Sequence, residues 1–163
     1  MPISGKPPGR ILPPGRGDTL FRVNFQEGAG PLEIPEAWNH SPECFAEAVR
    51  QLSAYFAGRL FSFDLDVAPD GTEFQRAVSA ELEKIPYGET ATYGETARRL
   101  GRPGAGRAVG AANGRNPLPI VIPRHRVVGA NGRLTGCGGG LWIKEWLLNM
   151  EIGAFANRTG NPP

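Results

Sequence analysis

The sequence predicts an α+β protein in which a small, rudimentary N-terminal β/α subdomain precedes a mainly helical domain containing a winged helix-turn-helix. Strand-like alternation occurs early, at residues 20–25, and five segments with helical spacing or capping signals follow it. Two of these segments, near 93–100 and 105–113, are short and are joined by a glycine-containing turn, as in a helix-turn-helix. A chain of 163 residues can bury one core with a small subdomain attached.

The N-terminal part carries few structural signals. Residues 1–18 are rich in Pro, Gly and Arg without periodicity, so we predict a flexible tail. Residues 20–25 alternate like an edge strand, and residues 28–35 read as a turn-rich return. We therefore predict a reduced subdomain with one helix over residues 19–68.

That helix is predicted from its boundaries. Ser41 is a suitable N-cap, Pro42 suits the first helical position, and Gly58 ends an apolar stripe with helical spacing. Residues 61–67 then form a linking strand or extended segment, and the Pro-Asp-Gly turn at 69–71 marks the start of the main domain.

The main domain is predicted to span residues 69–153, with a flexible C-terminal tail at 154–163. Thr72 and Gln75 form a capping box that opens a helix, which Pro86 stops.

The helix-turn-helix follows directly. Thr92 and Glu95 form a second capping box, which opens a helix through Leu100. The next helix, over 105–113, is rich in Ala and Gly, which also suits tight helix packing. Arg107 is a long cation among these small residues, and this favours insertion into DNA.

Charge is divided unevenly along the chain. Residues 96–144 contain eight arginines and one lysine without any Asp or Glu, so this segment carries +9 and leaves −7 for the rest, given the net charge of +2. A basic block can be merely a solvated face, but the exclusion of carboxylates favours a polyanionic partner, and nucleic acid above all.

Other classes of protein are disfavoured by the composition. No run approaches the roughly 18 apolar residues of a membrane-spanning helix, and the N-terminus has no apolar signal region. We expect a soluble, cytoplasmic protein without membrane contact, associated with the nucleoid if bacterial. Cys44 and Cys137 do not make a disulfide framework, and two cysteines with two dispersed histidines make no zinc pattern, so we expect no metal and no cofactor.

The run at 121–128 is apolar and strand-like but delivers three polar side chains after Pro123. A buried arginine without a partner is unfavourable, so Arg124 is expected to open onto a pocket, a ligand or solvent. Asn131 and Gly132 then predict a hairpin turn.

The last helix is predicted over 141–151, with Trp142 and Trp146 in the core. Glu151 at its end could accept a hydrogen bond from His125, as in a relay that activates a thiol. The neighbour of His125 is Arg124, however, and arginine is no nucleophile. The glycine cluster at 136–140 lacks the Lys-Ser or Lys-Thr of a P-loop, and a loop that closes over a flat ligand suits it better.

These features together carry a resemblance to a known family. The motifs that carry it are Gly71-Thr72-Glu73-Phe74-Gln75, Ile85-Pro86-Tyr87-Gly88-Glu89-Thr90, Thr92-Tyr93-Gly94-Glu95, Arg107-Ala108-Val109-Gly110, Asn116-Pro117, Ile122-Pro123-x-His125-Arg126-Val127 and Gly138-Gly139-Gly140-Leu141 with Lys144. Over about residues 41–151 the chain resembles the O6-alkylguanine-DNA alkyltransferases, also called methylated-DNA-protein-cysteine methyltransferases. The resemblance implies minor-groove docking, rotation of the damaged guanine out of the stack, and irreversible alkyl transfer to a cysteine in Pro-Cys-His-Arg.

The resemblance also implies roles for individual residues. Tyr93 is similar to the tyrosine that turns the target phosphate, and Arg107 to the arginine that fills the gap left by the flipped base. Asn116 is similar to the hinge asparagine, and His125 with Glu151 to the pair that activates the cysteine. The predicted DNA-binding residues are Tyr93, Arg107, Ala108, Gly110, Asn113 and Arg115. The predicted base-pocket residues are Asn116, Pro123, Arg124, Val127, Cys137, Gly138 and Gly139.

Two departures shape the functional hypothesis. Arg124 stands at the acceptor position, where a guanidinium cannot replace a thiolate, and Cys137 stands where the family commonly has a tyrosine. The leading prediction is a non-catalytic alkyltransferase-like protein, expected as a monomer, that binds O6-alkylguanine in double-stranded DNA and signals to nucleotide excision repair. Arg124 would then hydrogen-bond or stack on the guanine, or simply block the pocket.

Two alternatives remain open from the sequence. The first is an enzyme of altered chemistry that uses Cys137 or the His125–Glu151 pair in the inherited pocket. The second is an engineered Cys→Arg variant without activity.

Overall fold

The computed structural model describes residues 42–135 and 141–159, together with four two-residue strands within 11–25. These strands are β1 (Ile11–Leu12), β2 (Gly15–Arg16), β3 (Thr19–Leu20) and β4 (Asn24–Phe25). β1 pairs with β4 and β2 pairs with β3, both antiparallel. Strand pairing thus begins inside the region 1–18 that we predicted as a tail. The predicted strand at 20–25 is divided between β3 and β4, and the predicted return at 28–35 lies outside the described residues.

All five predicted helices are present. They are α1 (Pro42–Phe56), α2 (Glu73–Leu82), α3 (Tyr93–Arg99), α4 (Gly106–Gly114) and α5 (Leu141–Thr159). A short parallel pair joins β5 (Ala91–Thr92) to β6 (Val127–Val128). Of the helices described, none is both long and apolar enough to cross a membrane.

Both capping boxes form as the sequence predicts. At α2 the Gln75 backbone N–H donates to Thr72 Oγ1 at 3.1 Å, and the Thr72 backbone N–H donates to Gln75 Oε1 at 3.0 Å. At α3 the Glu95 backbone N–H donates to Thr92 Oγ1 at 3.1 Å, and the Thr92 N–H donates to Glu95 Oε2 at 2.7 Å. Side chains thereby satisfy backbone donors that the first helical turn leaves unpaired.

Helix α5 differs from its prediction in length and orientation. It continues to Thr159, so most of the tail predicted at 154–163 is helical. The prediction that both tryptophans lie in the core is wrong for Trp142, which is 53% exposed, whereas Trp146 is half-buried. The buried stripe of α5 starts at Ile143, and Trp142 precedes it by about 100° of helical rotation.

Two hydrophobic clusters meet along the chain between α4 and β6. The first packs α2, α3 and α4 together, and its members are Val78, Leu82, Ile85, Ala91, Ala97, Val109, Ala112, Leu118, Ile122 and Val127. The second packs α1 against α5, and its members are Leu52, Tyr55, Tyr87, Ile120, Ile143, Leu147 and Met150. Leu118 and Ile122 therefore enter one cluster, while Ile120 between them enters the other. Both cores hold this segment in place.

The strand predicted over 121–128 is shorter than expected. Residues Arg124–Arg126 form a 3₁₀ turn, and strand pairing is limited to β6. A second 3₁₀ turn at Ala130–Gly132 replaces the simple hairpin turn, with Asn131 in the left-handed region at φ 63°. The linking segment at 61–67 has residues that alternate between half-buried and exposed positions, which is consistent with the predicted strand or extended segment.

Substituting the α2 cap should weaken the main domain without touching the site. Thr72→Ala removes the side-chain acceptor, so we expect unfolding free energy to fall by about 1 kcal/mol in urea denaturation. Thr90→Ala is the control, because Thr90 is exposed and lies outside the helices, and it should change stability by less than about 0.5 kcal/mol. Equal effects of the two substitutions would contradict the capping role.

Candidate functional site

A buried carboxylate lies at the centre of the site. Glu151 on α5 is fully buried and accepts hydrogen bonds from three side chains and one backbone group. Its Oε1 lies 2.7 Å from Tyr55 Oη and 2.7 Å from His125 Nε2. The Gly88 backbone N–H donates to Oε2 at 3.2 Å, and the Arg126 guanidinium donates to both oxygens.

Arg126 forms the counter-charge. Its Nε donates to Glu151 Oε2 at 2.9 Å and its Nη2 to Oε1 at 2.8 Å, while Nη1 donates to the Ile85 carbonyl at 2.8 Å. The guanidinium carbon lies 5.5 Å from the centre of the Tyr87 ring, a cation–π distance. Breaking such a buried pair by removing one partner typically costs about 3–5 kcal/mol, because the other charge is left without compensation.

The ionisation states follow from these contacts. Burial by itself would raise the pKa of Glu151, but the hydrogen bonds and charges of His125 and Arg126 outweigh it and lower the pKa to about 2. Burial lowers the pKa of His125, and Glu151 only partly opposes this effect. Glu151 is therefore ionised and His125 is neutral at neutral pH, so their contact is a hydrogen bond rather than an ion pair.

The tautomer of His125 follows from the hydrogen-bond network. An ionised carboxylate can only accept, so the Nε2 atom that lies 2.7 Å from Glu151 Oε1 carries the proton. Nδ1 is then unprotonated, and it has no hydrogen-bond partner among the described residues. A neutral histidine oriented by a carboxylate, with a free ring nitrogen, is suited to accept a proton from a neighbouring group. The predicted His125–Glu151 hydrogen bond is present.

Arg124 is half-buried at the start of the 3₁₀ turn beside this relay. Its backbone N–H donates to the Ile122 carbonyl at 2.8 Å, and its carbonyl accepts from Asn113 Nδ2 at 3.3 Å. Within 42–135 and 141–159, the guanidinium forms no ion pair with a carboxylate. The backbone of residue 124 is thus fixed, while its charge lacks a carboxylate partner there.

Two asparagines predicted at the site have structural roles. Asn113 is buried, so its amide does not reach the surface as the predicted DNA contact requires. Asn116 was predicted in the base pocket, but its Nδ2 donates to the Ile122 carbonyl and its Oδ1 accepts from the Leu118 N–H, both at 2.9 Å. Its amide holds the loop that precedes Arg124.

The same loop contains a strained residue. Ile120 has φ 77° and is 1% exposed, although β-branched residues strongly disfavour the left-handed region. Such strain persists where the surrounding structure determines the backbone, and here Ile120 is held in the second hydrophobic cluster. The loop that leads to Pro123 and Arg124 is therefore held by the Asn116 hydrogen bonds and by the burial of Ile120.

The helix-turn-helix presents a separate, exposed surface. Arg107 and Ala108 on α4 and Arg115 at its end are exposed. Gly110 lies against Tyr93 of α3, because a Cβ built at Gly110 would be 3.7 Å from the Tyr93 ring.

Tyr93 ties α3 to the segment after β6. Its hydroxyl donates to the Thr135 carbonyl at 3.0 Å, and Lys144 Nζ donates to the same carbonyl at 2.9 Å. The Lys144 ammonium also lies 5.7 Å from the centre of the Tyr93 ring. Three predicted pocket residues that follow Thr135, namely Cys137, Gly138 and Gly139, lie outside the described residues.

Sequence reasoning missed part of the site. Arg126 and Lys144 were counted in the basic segment that predicted a polyanion partner, yet both are buried and bonded inside the protein. Pro123 and Val127 are also buried, and Val127 belongs to the first hydrophobic cluster. Tyr55 was not identified at all, because its position in α1 is distant in sequence from the motifs around His125.

Comparison with known proteins identifies relatives over most of the chain. Residues 73–153 match the family model described as the DNA binding domain of 6-O-methylguanine DNA methyltransferase, and residues 7–69 match the ribonuclease-like domain of the same protein. A methylated-DNA–protein-cysteine methyltransferase of Methanosarcina acetivorans is 56% identical over 149 residues, which is 91% of this chain and 96% of the relative. A protein of the same name from Mycolicibacterium paratuberculosis is 58% identical over 114 residues, or 70% of this chain and 69% of the relative.

Solved structures agree with these matches. The crystal structure of Mycobacterium tuberculosis OGT in complex with DNA superposes with a TM-score of 0.83 at 46% identity, covering 91% of this chain and 90% of that one. The match covers both the N-terminal part and the helix-turn-helix domain, so the predicted α+β fold class is confirmed.

These relatives correct the functional prediction. We predicted a non-catalytic protein that signals alkylated guanine, reasoning from Arg124 at the expected acceptor position. Relatives that are 56% and 58% identical are named methyltransferases, which contradicts both the sensor and the absence of enzymatic activity.

The buried pair predicts a specific loss of stability in acid. Because the pKa of Glu151 is lowered to about 2 in the folded state, its stabilising contribution is present above its ordinary value of 4.5 and is lost as pH falls from there towards 2. Glu151→Gln should lower the unfolding free energy at pH 7 by about 3–5 kcal/mol, because Arg126 is left uncompensated. It should also flatten the acid dependence between these pH values. Urea titrations from pH 7 to pH 2.5 measure both effects, and a Gln variant with an unchanged acid profile would contradict the assignment.

Proposed function

Because the chain belongs to the 6-O-methylguanine DNA methyltransferase family, we propose that it removes alkyl groups from O6 of guanine in double-stranded DNA and takes them onto itself. The observation that carries this proposal is the 56% identity to a named methylated-DNA–protein-cysteine methyltransferase over 96% of that protein's length. The His125–Glu151 hydrogen bond supports it, because it holds His125 in the tautomer whose unprotonated Nδ1 can accept a proton from a nucleophile.

In this proposal the helix-turn-helix docks on duplex DNA. The exposed arginines of α3 and α4 meet the phosphates, and Arg107 enters the space that the rotated guanine leaves. The small side chains around Arg107 let α4 approach the DNA closely. Tyr93 lies beside Gly110 at the same surface, where it can displace the phosphate of the target nucleotide.

The alkyl acceptor needs a separate argument. We place Arg124 at the family's acceptor position, and a guanidinium stays protonated and is no nucleophile near neutral pH. Cys137 is our candidate acceptor, since a thiolate is the nucleophile that this chemistry requires. Cys137 follows Thr135 by two residues in the sequence, and the Thr135 carbonyl accepts hydrogen bonds from Tyr93 and Lys144.

The proposed transfer is a displacement at the alkyl carbon. His125 Nδ1 accepts the thiol proton, the Cys137 sulfur forms a bond to the alkyl carbon, and the bond from that carbon to guanine O6 breaks. The bonding electrons move into the guanine, which takes up a proton at N1 from solvent, while protonated His125 returns its proton to solvent. Arg124 donates hydrogen bonds to O6 as negative charge develops there, so its cation assists the leaving group instead of acting as the acceptor.

We predict a stable alkyl adduct on Cys137. The protein is incubated with duplex DNA that contains O6-methylguanine. Intact and peptide mass spectrometry should show a gain of about 14 Da, which corresponds to one methyl in place of one hydrogen, on the peptide that contains Cys137. Cys137→Ser should abolish the gain, whereas Cys44→Ser, the matched control, should retain it. Persistence of the alkyl group in the DNA, with both cysteines unmodified, would overturn the proposed transfer.

Binding to DNA should depend on the α4 arginine and on salt. Arg107→Ala should weaken binding to an O6-methylguanine duplex about 10-fold. Raising salt from roughly 50 to 200 mM should strongly lower the affinity of the parent protein for this duplex, because binding releases counterions from the phosphates. Arg59→Ala is the control, since Arg59 is exposed and lies outside the helix-turn-helix, and it should bind nearly as well as the parent. Fluorescence anisotropy measures each affinity, and equal losses for both variants would reject the docking surface.

A further inference from the structure

The relay receives a hydrogen bond from the N-terminal part of the chain. Tyr55 lies in α1, within the part that matches the ribonuclease-like domain, whereas His125 and Glu151 lie within the part that matches the DNA binding domain. The Tyr55 side chain is completely buried, its hydroxyl donates to Glu151 Oε1 at 2.7 Å, and it lies 3.3 Å from His125 Nε2. A residue of one part of the chain thus contacts both relay groups of the other.

We propose that Tyr55 is a positioning residue of the relay, through which the N-terminal subdomain sets the orientation and basicity of His125. This inference rests on the proposed function for its use in alkyl transfer. The geometry behind it does not require that any alkyl group is transferred.

The Tyr55 hydroxyl is fixed from several sides. The centre of the Tyr55 ring lies 5.4 Å from the ring centre of Phe63 and 6.0 Å from that of Tyr87, and the Tyr87 contact is edge-to-face. Phe56, the next residue of α1, also packs edge-to-face at 5.4 Å. Packed aromatic neighbours restrict the ring, so the hydroxyl is held towards Glu151.

The effect on His125 follows from competition for one oxygen. Glu151 Oε1 accepts from Tyr55 Oη, His125 Nε2 and Arg126 Nη2 at 2.7, 2.7 and 2.8 Å. Each donor draws negative charge away from the others. Loss of the tyrosine hydroxyl leaves more negative charge opposite His125 and therefore stabilises its protonated form.

The other charged groups around His125 act in known directions. Arg126, beside it in the 3₁₀ turn, and Lys144, on α5, both disfavour a positive charge on the imidazole, and Glu151 on α5 favours it. From α1, Tyr55 acts through Glu151. Tyr55 itself stays neutral, because burial and the nearby carboxylate raise its pKa well above its usual range. The hydroxyl is therefore available as a donor throughout the neutral pH range.

The chain offers a matched control for this role. Tyr87 is buried in the same aromatic cluster, but its hydroxyl has no hydrogen-bond partner among the described residues. Tyr55→Phe and Tyr87→Phe each remove one buried hydroxyl and keep the ring. The substitutions differ in that the first removes a donor to Glu151.

Histidine NMR of the full chain tests the inference without DNA. The chain has two histidines, His40 and His125, so a His40→Gln background leaves the His125 signals alone in the spectrum. In that background we expect ¹⁵N chemical shifts to show that His125 carries its proton on Nε2. Tyr55→Phe should raise the titration midpoint of His125 by roughly half to one pH unit, and Tyr87→Phe should leave it near the starting value. Circular dichroism checks that each variant is folded.

Three results would overturn the inference: a tautomer protonated at Nδ1, a midpoint that does not move in folded Tyr55→Phe, or the same shift in both variants. The tautomer is read in protein that retains Tyr55, so a proton on Nδ1 would overturn the inference even if Tyr55→Phe fails to fold. An adduct experiment that fails on Cys137 would reject the proposed alkyl transfer and leave these NMR outcomes unchanged. The two proposals can therefore fail separately.

Discussion

The ion pair between Arg126 and Glu151 joins the parts of this protein that matter for its chemistry. Glu151 lies on the last helix, and Arg126 lies in the 3₁₀ turn that begins at Arg124. Arg126 also donates a hydrogen bond to the Ile85 carbonyl, in the segment that follows α2. Because both charges are buried, each depends on the other for compensation. The carboxylate that orients His125 is thus the same group that neutralises Arg126, so the orientation of His125 cannot be separated from the stability of the fold.

The loop before the site shows how firmly the backbone at position 124 is held. Side chains at 118 and 122 enter one hydrophobic cluster, and the side chain at 120 enters the other. The side-chain amide of Asn116 forms hydrogen bonds with the backbone of residues 118 and 122 within the loop. The side-chain amide of Asn113 on α4 donates to the backbone carbonyl of residue 124. A strained backbone angle at Ile120 is tolerated in return for this fixed position. A framework of this kind suits a site at which a reacting atom must be placed within a fraction of an ångström.

Arg124 stands where the sequence resemblance places the alkyl acceptor. Its guanidinium cannot perform the nucleophilic step, but a permanent cation near O6 of guanine can stabilise the charge that develops when the alkyl group leaves. In the proposed function the acceptor and the charge stabiliser are different residues, Cys137 and Arg124. The relatives are named methyltransferases, and the proposed division of roles would allow alkyl transfer beside the arginine.

The sequence by itself determined the elements that depend on local chemistry. Both capping boxes and the short helix-turn-helix pair were predicted, because caps and glycine turns are readable within a few residues. The partnership of His125 with Glu151, 26 residues apart, was predicted from the relay pattern and the family resemblance. The tertiary structure alone decided which charged residues face inwards. Arg126 and Lys144 look like the exposed arginines around them, and burial depends on contacts with Glu151 and Thr135 that lie 25 and 9 residues away. Tyr55 is the extreme case, since its partner Glu151 is 96 residues distant and no local pattern can record a contact that arises when α1 packs against α5.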